Sequence, residues 1–207
     1  MKQAVKKRYI VGITGASGVI YGISLLRRLM DQPVDIHLIV TPDGRKVLNH
    51  EMGRGDVTGC IDSHPDFRPH AGARIHEHPS DRFFSPPASG SFRHDGMAVV
   101  PCSMKTLAAV ASGLADNLLS RAADICLKEH RPLVLVPREM PFSRIHLENM
   151  LRVSDAGGVI LPPAPGFYRH PRSIDDLVDF VTGRILDQLG VPNTLVKEWG
   201  DDDSTDA

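Results

Sequence analysis

The opening of the chain constrains the fold most. Tyr9-Ile10-Val11-Gly12-Ile13-Thr14 is a continuous apolar run that stops at Gly15-Ala16-Ser17-Gly18. Val19, Ile20, Ile23, Leu26 and Leu29 then recur at helical spacing, and Val34 to Val40 is apolar again. A strand, a helix and a second strand joined this way require a parallel pair with a crossover. The pattern continues with strands at Gly96–Pro101, Leu133–Pro137 and Gly158–Leu161. Between them, helices are expected over Lys105–Ala115, with Ser103 as N-cap, and over Leu118–Glu129. A third begins after Ser143, with Leu147, Met150 and Leu151 expected inward. The last is capped by Ser173, has Asp176 at the capping-box position, and carries the stripe Ile174, Leu177, Val178, Val181, Ile185 and Leu189. Apolar strands alternating with helices predict an α/β, doubly wound, mostly parallel sheet in a three-layer Rossmann- or flavodoxin-like single domain. That domain is expected over residues 1–200, followed by an acidic tail, 201–207, expected to be disordered.

Composition removes several function classes. The 207 residues carry a net charge of −1, which gives no case for a nucleic-acid binder. No apolar run reaches the roughly 20 residues needed to span a bilayer, and Met1 to Arg8 lacks a signal-peptide core, so a cytoplasmic protein without membrane contact is expected. Cys60, Cys102 and Cys126 have no CxxC spacing and predict neither a disulfide framework nor a structural zinc site. Residues 50–94 hold six of the ten histidines, but Pro and Gly between them leave no spacing that would fix ligand geometry; no metal site is expected. Of the 24 basic residues 17 are Arg, the side chain suited to bidentate phosphate contacts, so their placement matters more than the total.

In an open α/β sheet ligands bind beyond the carboxyl ends of the strands. After the first strand stands Gly12-x-x-Gly15-x-x-Gly18, which is not GxGxxG, and the second strand ends in Thr41 where a dinucleotide site wants an acidic residue. The turn is either a plain tight connection or a mononucleotide cradle; it does not suit NAD. Ser103 and Thr106 either cap a helix or offer hydroxyls to an anion or a ring edge. Arg138-Glu139 lies between Pro137 and Pro141, so its backbone is restrained. It suits a phosphate contact beside a proton-transfer group, or a structural ion pair at a subunit contact. Arg121, Lys128 and Arg131 form a basic group that by itself reads as a solvated face. Cys102 reads as a small buried hydrophobe.

Together, Gly12-Ile13-Thr14-Gly15-Ala16-Ser17-Gly18, Pro86-Pro87-Ala88-Ser89-Gly90-Ser91, Pro101-Cys102-Ser103-Met104-Lys105-Thr106-Leu107, Leu135-Val136-Pro137-Arg138-Glu139-Met140-Pro141 and Ala164-Pro165-Gly166-Phe167-Tyr168 resemble the UbiX flavin prenyltransferases, as does Ser173 to Phe180. The likeness runs over about residues 8 to 200. It implies transfer of a dimethylallyl group from dimethylallyl monophosphate to N5 and then C6 of reduced FMN, without a metal. The prenylated FMN would serve a UbiD-type decarboxylase, in ubiquinone synthesis or aromatic-acid decarboxylation. The resemblance implies a dodecameric homo-oligomer with intersubunit sites. It assigns FMN contacts to Gly15, Ala16, Ser17, Thr41, Ser103, Met104, Lys105, Thr106 and Arg138. Glu139, Ser17, Lys128 and Arg121 take the catalytic positions. Tyr168, Arg184 and Lys128 fall at the donor phosphate, and Phe83, or its neighbour Phe84, at the prenyl wall. An FMN-dependent cysteine decarboxylase of the same fold, or a flavin carrier without chemistry, are the rival readings.

Overall fold

The computed structural model describes residues 6–196. Six strands form one sheet: β1 Lys7–Ile13, β2 Val34–Val40, β3 Arg74–Pro79, β4 Gly96–Cys102, β5 Leu133–Pro137 and β6 Val159–Ile160. Their order is β3-β2-β1-β4-β5-β6 and every pairing is parallel. The helices are α1 Val19–Leu29, α2 Pro42–Met52, α3 Val57–Asp62, α4 Met104–Ala111, α5 Leu118–Lys128, α6 Arg144–Asp155 and α7 Ile174–Gln188. Two 3₁₀ turns cover Pro86–Ala88 and Phe167–Arg169.

Because side chains alternate across a strand, the sheet divides its apolar residues between two cores. Tyr9, Val11 and Ile13 of β1, with Val34, Ile36 and Leu38 of β2, pack against α1, α3 and α7. Ile10, Ile39, Met97, Val99, Leu133 and Leu135 pack on the other face against α4 and α5. The three-layer arrangement is the doubly wound one the alternation predicts. Two glycines let helices approach the sheet closely. A Cβ on Gly12 would stand 2.7 Å from Leu119 Cδ1 of α5, and one on Gly22 of α1 would stand 2.5 Å from the Val100 carbonyl oxygen.

The structure departs from the sequence expectations at the margins. β3 was not expected within the histidine-rich stretch. It is an edge strand, RIHEHP, with only Ile75 and His78 half-buried, so it lacks the apolar run that marks a central strand. α2 buries only Gly44 and Leu48 and therefore shows no apolar stripe; its caps mark it instead, Thr41 Oγ1 accepting from Gly44 N–H and Gly53 closing it at φ 72°. α4 stops at Ala111, short of the expected Ala115, where Gly113 turns left-handed at φ 70°. On α6, Leu147 and Leu151 do not point inward: they are 53% and 61% exposed, and Val153 alone of that helix is buried. Ile174 at the start of α7 is likewise exposed, while Val178, Val181 and Ile185 are buried as the stripe requires. Residues 201–207 lie outside the described residues.

The contact between α1 and β4 is tight enough to test. Gly22→Ala is expected to lower stability by about 1–3 kcal/mol through overpacking against the Val100 carbonyl. Urea denaturation checks this: the midpoint should fall with the slope unchanged.

Candidate active site

The site builds from one hydroxyl. Thr14, 1% exposed at the end of β1, donates from Oγ1 to the Pro101 carbonyl at 2.8 Å and accepts from Ser103 N–H at 2.7 Å. Its own N–H also donates to the Pro101 carbonyl, at 3.2 Å. The carboxyl ends of β1 and β4 are thereby stitched together where α1 leaves toward one face and α4 toward the other, the position at which doubly wound sheets bind ligands. Two backbone bonds extend the ledge: Thr41 N–H donates to the Ile13 carbonyl at 3.0 Å, and Arg138 N–H to the Cys102 carbonyl at 3.3 Å. Gly15, Ala16, Ser17, Thr41, Ser103, Met104, Lys105, Thr106 and Arg138 are in this way brought to adjoining strand ends. Ser17, Lys105 and Arg138 face solvent, and Ala16 is buried beneath them.

Ser103 caps α4, its Oγ accepting from Thr106 N–H at 3.3 Å and donating to Thr106 Oγ1 at 3.1 Å. The hydroxyl pair therefore orients the helix start, and Lys105 projects from it. Glu139 is exposed and accepts from Met140 N–H at 3.0 Å, which turns its carboxylate back over its own loop. Among the described residues neither Lys105 nor Arg138 forms an ion pair. A ledge of hydroxyls and small side chains with two uncommitted cations fits a flat ring carrying a phosphate.

Sequence reasoning missed Glu51. It stands on α2, yet its carboxylate accepts from Gly18 N–H at 3.0 Å and Val19 N–H at 3.1 Å, so it occupies the positive end of α1 beside Ser17. The turn that reads as a glycine-rich cradle is thus filled at its helix end by the chain's own acid. A lone Glu 33 residues downstream gives no sequence signal for this.

The remaining predicted residues belong to α5, α7 and the loops before β4 and after β6. Tyr168 meets Phe180 edge-on at 6.0 Å between ring centres. Phe180 and Arg184 line a cavity of about 350 Å³ with Ile160, Pro162 and Ala164, and Arg184 pairs with Asp187 at 2.8 Å. Arg121 pairs with Asp124 at 3.0 Å and Lys128 with Glu129 at 3.2 Å. α5 starts beside β3's carboxyl end, where Leu118 N–H donates to the Ser80 carbonyl, and runs back to the amino end of β5. Its 11 residues place Lys128 roughly 15 Å down the sheet from the ledge. Lys128 instead neighbours Gly90, within the segment that follows Phe83 and Phe84, both exposed. One protomer therefore does not bring Lys128 to the same point as Arg138.

The family model described as Flavoprotein matches residues 1–186. The curated flavin prenyltransferase UbiX of Methanocaldococcus jannaschii is 46% identical over 193 residues, covering 93% of this chain and 98% of that protein. This chain belongs to the UbiX flavin prenyltransferase family. The crystal structure of AnUbiX (PadA1) in complex with FMN and dimethylallyl pyrophosphate superposes with a TM-score of 0.84 at 42% identity, covering 94% of this chain and 97% of that one. A dodecameric FMN-dependent Ubix-like decarboxylase from Escherichia coli O157:H7 gives 0.81 at 44% identity, covering 93% and 98%. Among the described residues of this UbiX-family chain, no group of three His, Cys, Asp or Glu is placed to hold a metal ion. No helix among them is long and apolar enough to cross a membrane. Cys102 is fully buried and burial pushes its thiol up to about 12, so it is a packing residue and not a nucleophile.

Thr14→Val keeps the volume but leaves the Ser103 N–H without its acceptor. The expected result is a loss of about 1–3 kcal/mol in stability and weaker FMN retention. Thermal unfolding and the flavin content of the purified variant measure the two effects.

Proposed function

We propose that the protein is a flavin prenyltransferase, joining a dimethylallyl group from dimethylallyl monophosphate to N5 and C6 of reduced FMN. The stitched ledge carries this reading: hydroxyls, small residues and unpaired cations at the switch point of a UbiX-family sheet. Reduced FMN supplies the nucleophilic ring atoms. Gly15, Ala16 and Ser17 hold the ring edge, with Thr41, Ser103, Met104, Lys105 and Thr106 around it, and Arg138 neutralises charge on the flavin. Glu139 takes and returns the proton as phosphate leaves and the ring closes. Arg121, Lys128, Tyr168 and Arg184 bind the departing phosphate, a task that fixed cations perform without a metal. Phe83 walls the allyl group, since a developing allyl cation is stabilised by an aromatic face and by exclusion of water.

The separation of Lys128 from the ledge supports a site completed between copies. So does the apolar surface: Met140 is 87% exposed, Ile145 68%, Leu147 53% and Leu151 61%, on and beside one helix. We read the protein as a homo-oligomer, a dodecamer as in its Escherichia coli relative, with the product passed to a UbiD-type decarboxylase and with a cytoplasmic location. The single-domain organisation is part of the same reading.

Anaerobic incubation with reduced FMN and dimethylallyl monophosphate, followed by mass spectrometry of the extracted flavin, is expected to show the prenylated product. Flavin unchanged with both the monophosphate and the diphosphate donor would refute the transferase reading and favour a carrier. Carbon dioxide released from a cysteine-terminated peptide would favour the decarboxylase. Glu139→Gln should keep FMN and lose roughly 100-fold or more in turnover. Leu147→Glu should dissociate the oligomer, seen by light scattering on a sizing column, and abolish activity while the monomer stays folded by circular dichroism.

A further inference from the structure

Four of the ten imidazoles gather on one face of the sheet. Strand pairing sets His37 of β2 opposite His76 of β3; His76 stacks on His37, His78 lies nearly parallel to it at 4° and meets it edge to edge, and the ring centres are 5.1 Å apart in both pairs. His37 Nδ1 and His78 Nε2 share a hydrogen bond of 2.9 Å. Phe92 closes the stack, edge-on to His37 at 4.7 Å, with His94 6.2 Å from its ring and the Arg8 guanidinium 5.7 Å from it. Phe92 also ends the segment that carries Phe83. Its N–H donates to the Ser89 carbonyl, and Arg131 donates to the carbonyls of Phe92 and Gly90 at 2.7 and 2.6 Å.

We propose that the His37–His78 pair is an acid-sensitive latch that seats Phe92 and thereby holds the Phe83–Phe92 segment on the sheet. The hydrogen bond needs one ring nitrogen to accept. One proton can be shared across it, but a second makes both nitrogens donors and breaks it. The surroundings resist added charge. β1 contributes Arg8, β3 contributes His76, Arg82 follows β3, and Arg131 follows α5 beside His94. The nearby carboxylates are already engaged: Asp35 with Lys6 and His76, Asp95 with Lys7, and Glu77 with Arg45. From α5 only the neutral Cys126 thiol reaches the group, at 3.8 Å from His94 Nε2.

Burial, then the charges of His78 and His76, bring His37 down to about 4, and burial likewise lowers His78 and His94. The seated form therefore binds fewer protons than the released form, whose imidazoles titrate near 6.5. The latch holds in full above about 6.5 and weakens progressively as the pH falls toward 4. Its geometry is independent of the proposed activity; its bearing on catalysis rests on the assignment of Phe83 to the prenyl wall.

Hydrogen exchange of the full chain by mass spectrometry, at steps from pH 7.5 to 4.5 and corrected for intrinsic rates, tests the latch without any activity readout. Protection of residues 86–94 should fall roughly tenfold or more over this range, while α1 and α7 hold theirs. His37→Leu, which keeps an apolar seat for Phe92, and His78→Gln should each flatten the step. A wild-type segment whose protection does not change selectively, or a full-sized step in both variants, would overturn the proposal. So would saturable protection of the segment by added Zn²⁺ at pH 7.5 in place of the acid step, which would make the stack a metal site.

Discussion

The Thr14 hydroxyl is the interaction on which the proposed site depends. A buried hydroxyl that both donates and accepts has no freedom left, because breaking either bond strands a polar group away from water. It ties the end of β1 to the turn that starts α4, so Gly15–Ser17 and Ser103–Thr106 cannot move independently. Thr41 and Arg138 hang from the same two strands by main-chain bonds. The result is a ledge whose positions are set by sheet hydrogen bonds, with only side-chain rotamers left to adjust. Preorganisation of this kind keeps a bound group oriented without an ordering cost at the moment of reaction.

The protomer nonetheless divides its chemistry. The ledge sits at the carboxyl end of the sheet, whereas Lys128 sits at the far end of α5 and Arg184 beside β6. The apolar residues of α6 that fail to reach a core of their own offer the surface by which copies could meet. If the sites form only between copies, as proposed, folding, assembly and catalysis share one equilibrium, and agents that stabilise the assembly stabilise the activity with it.

What could be read from the sequence follows burial. β1, β2, β4 and β5 are covered on both faces, so their apolar runs are unambiguous, and the caps at Ser103, Ser143 and Ser173 sit where the pattern changes period. β3 and α2 stayed hidden because they lie at the margin, where one covered face needs only a few apolar side chains. α6 misled for the opposite reason: an apolar stripe states that a face wants to be covered and is silent on whether its own chain covers it. The histidines at 76 and 78 looked unstructured until β3 set them beside His37, forty-one residues from His78.

The sequence by itself determined the layer architecture, the polar and small residues at the strand ends, and the family. Those are properties of local periodicity and of short motifs, which need no knowledge of partners distant in the chain. Only the tertiary structure decided that Glu51 fills the end of α1, that Thr14 rather than the glycine-rich turn organises the ledge, and that Lys128 at the far end of α5 lies apart from it. Each of these depends on a contact between segments separated by tens of residues, and strand order, which no local pattern encodes, determines which segments meet.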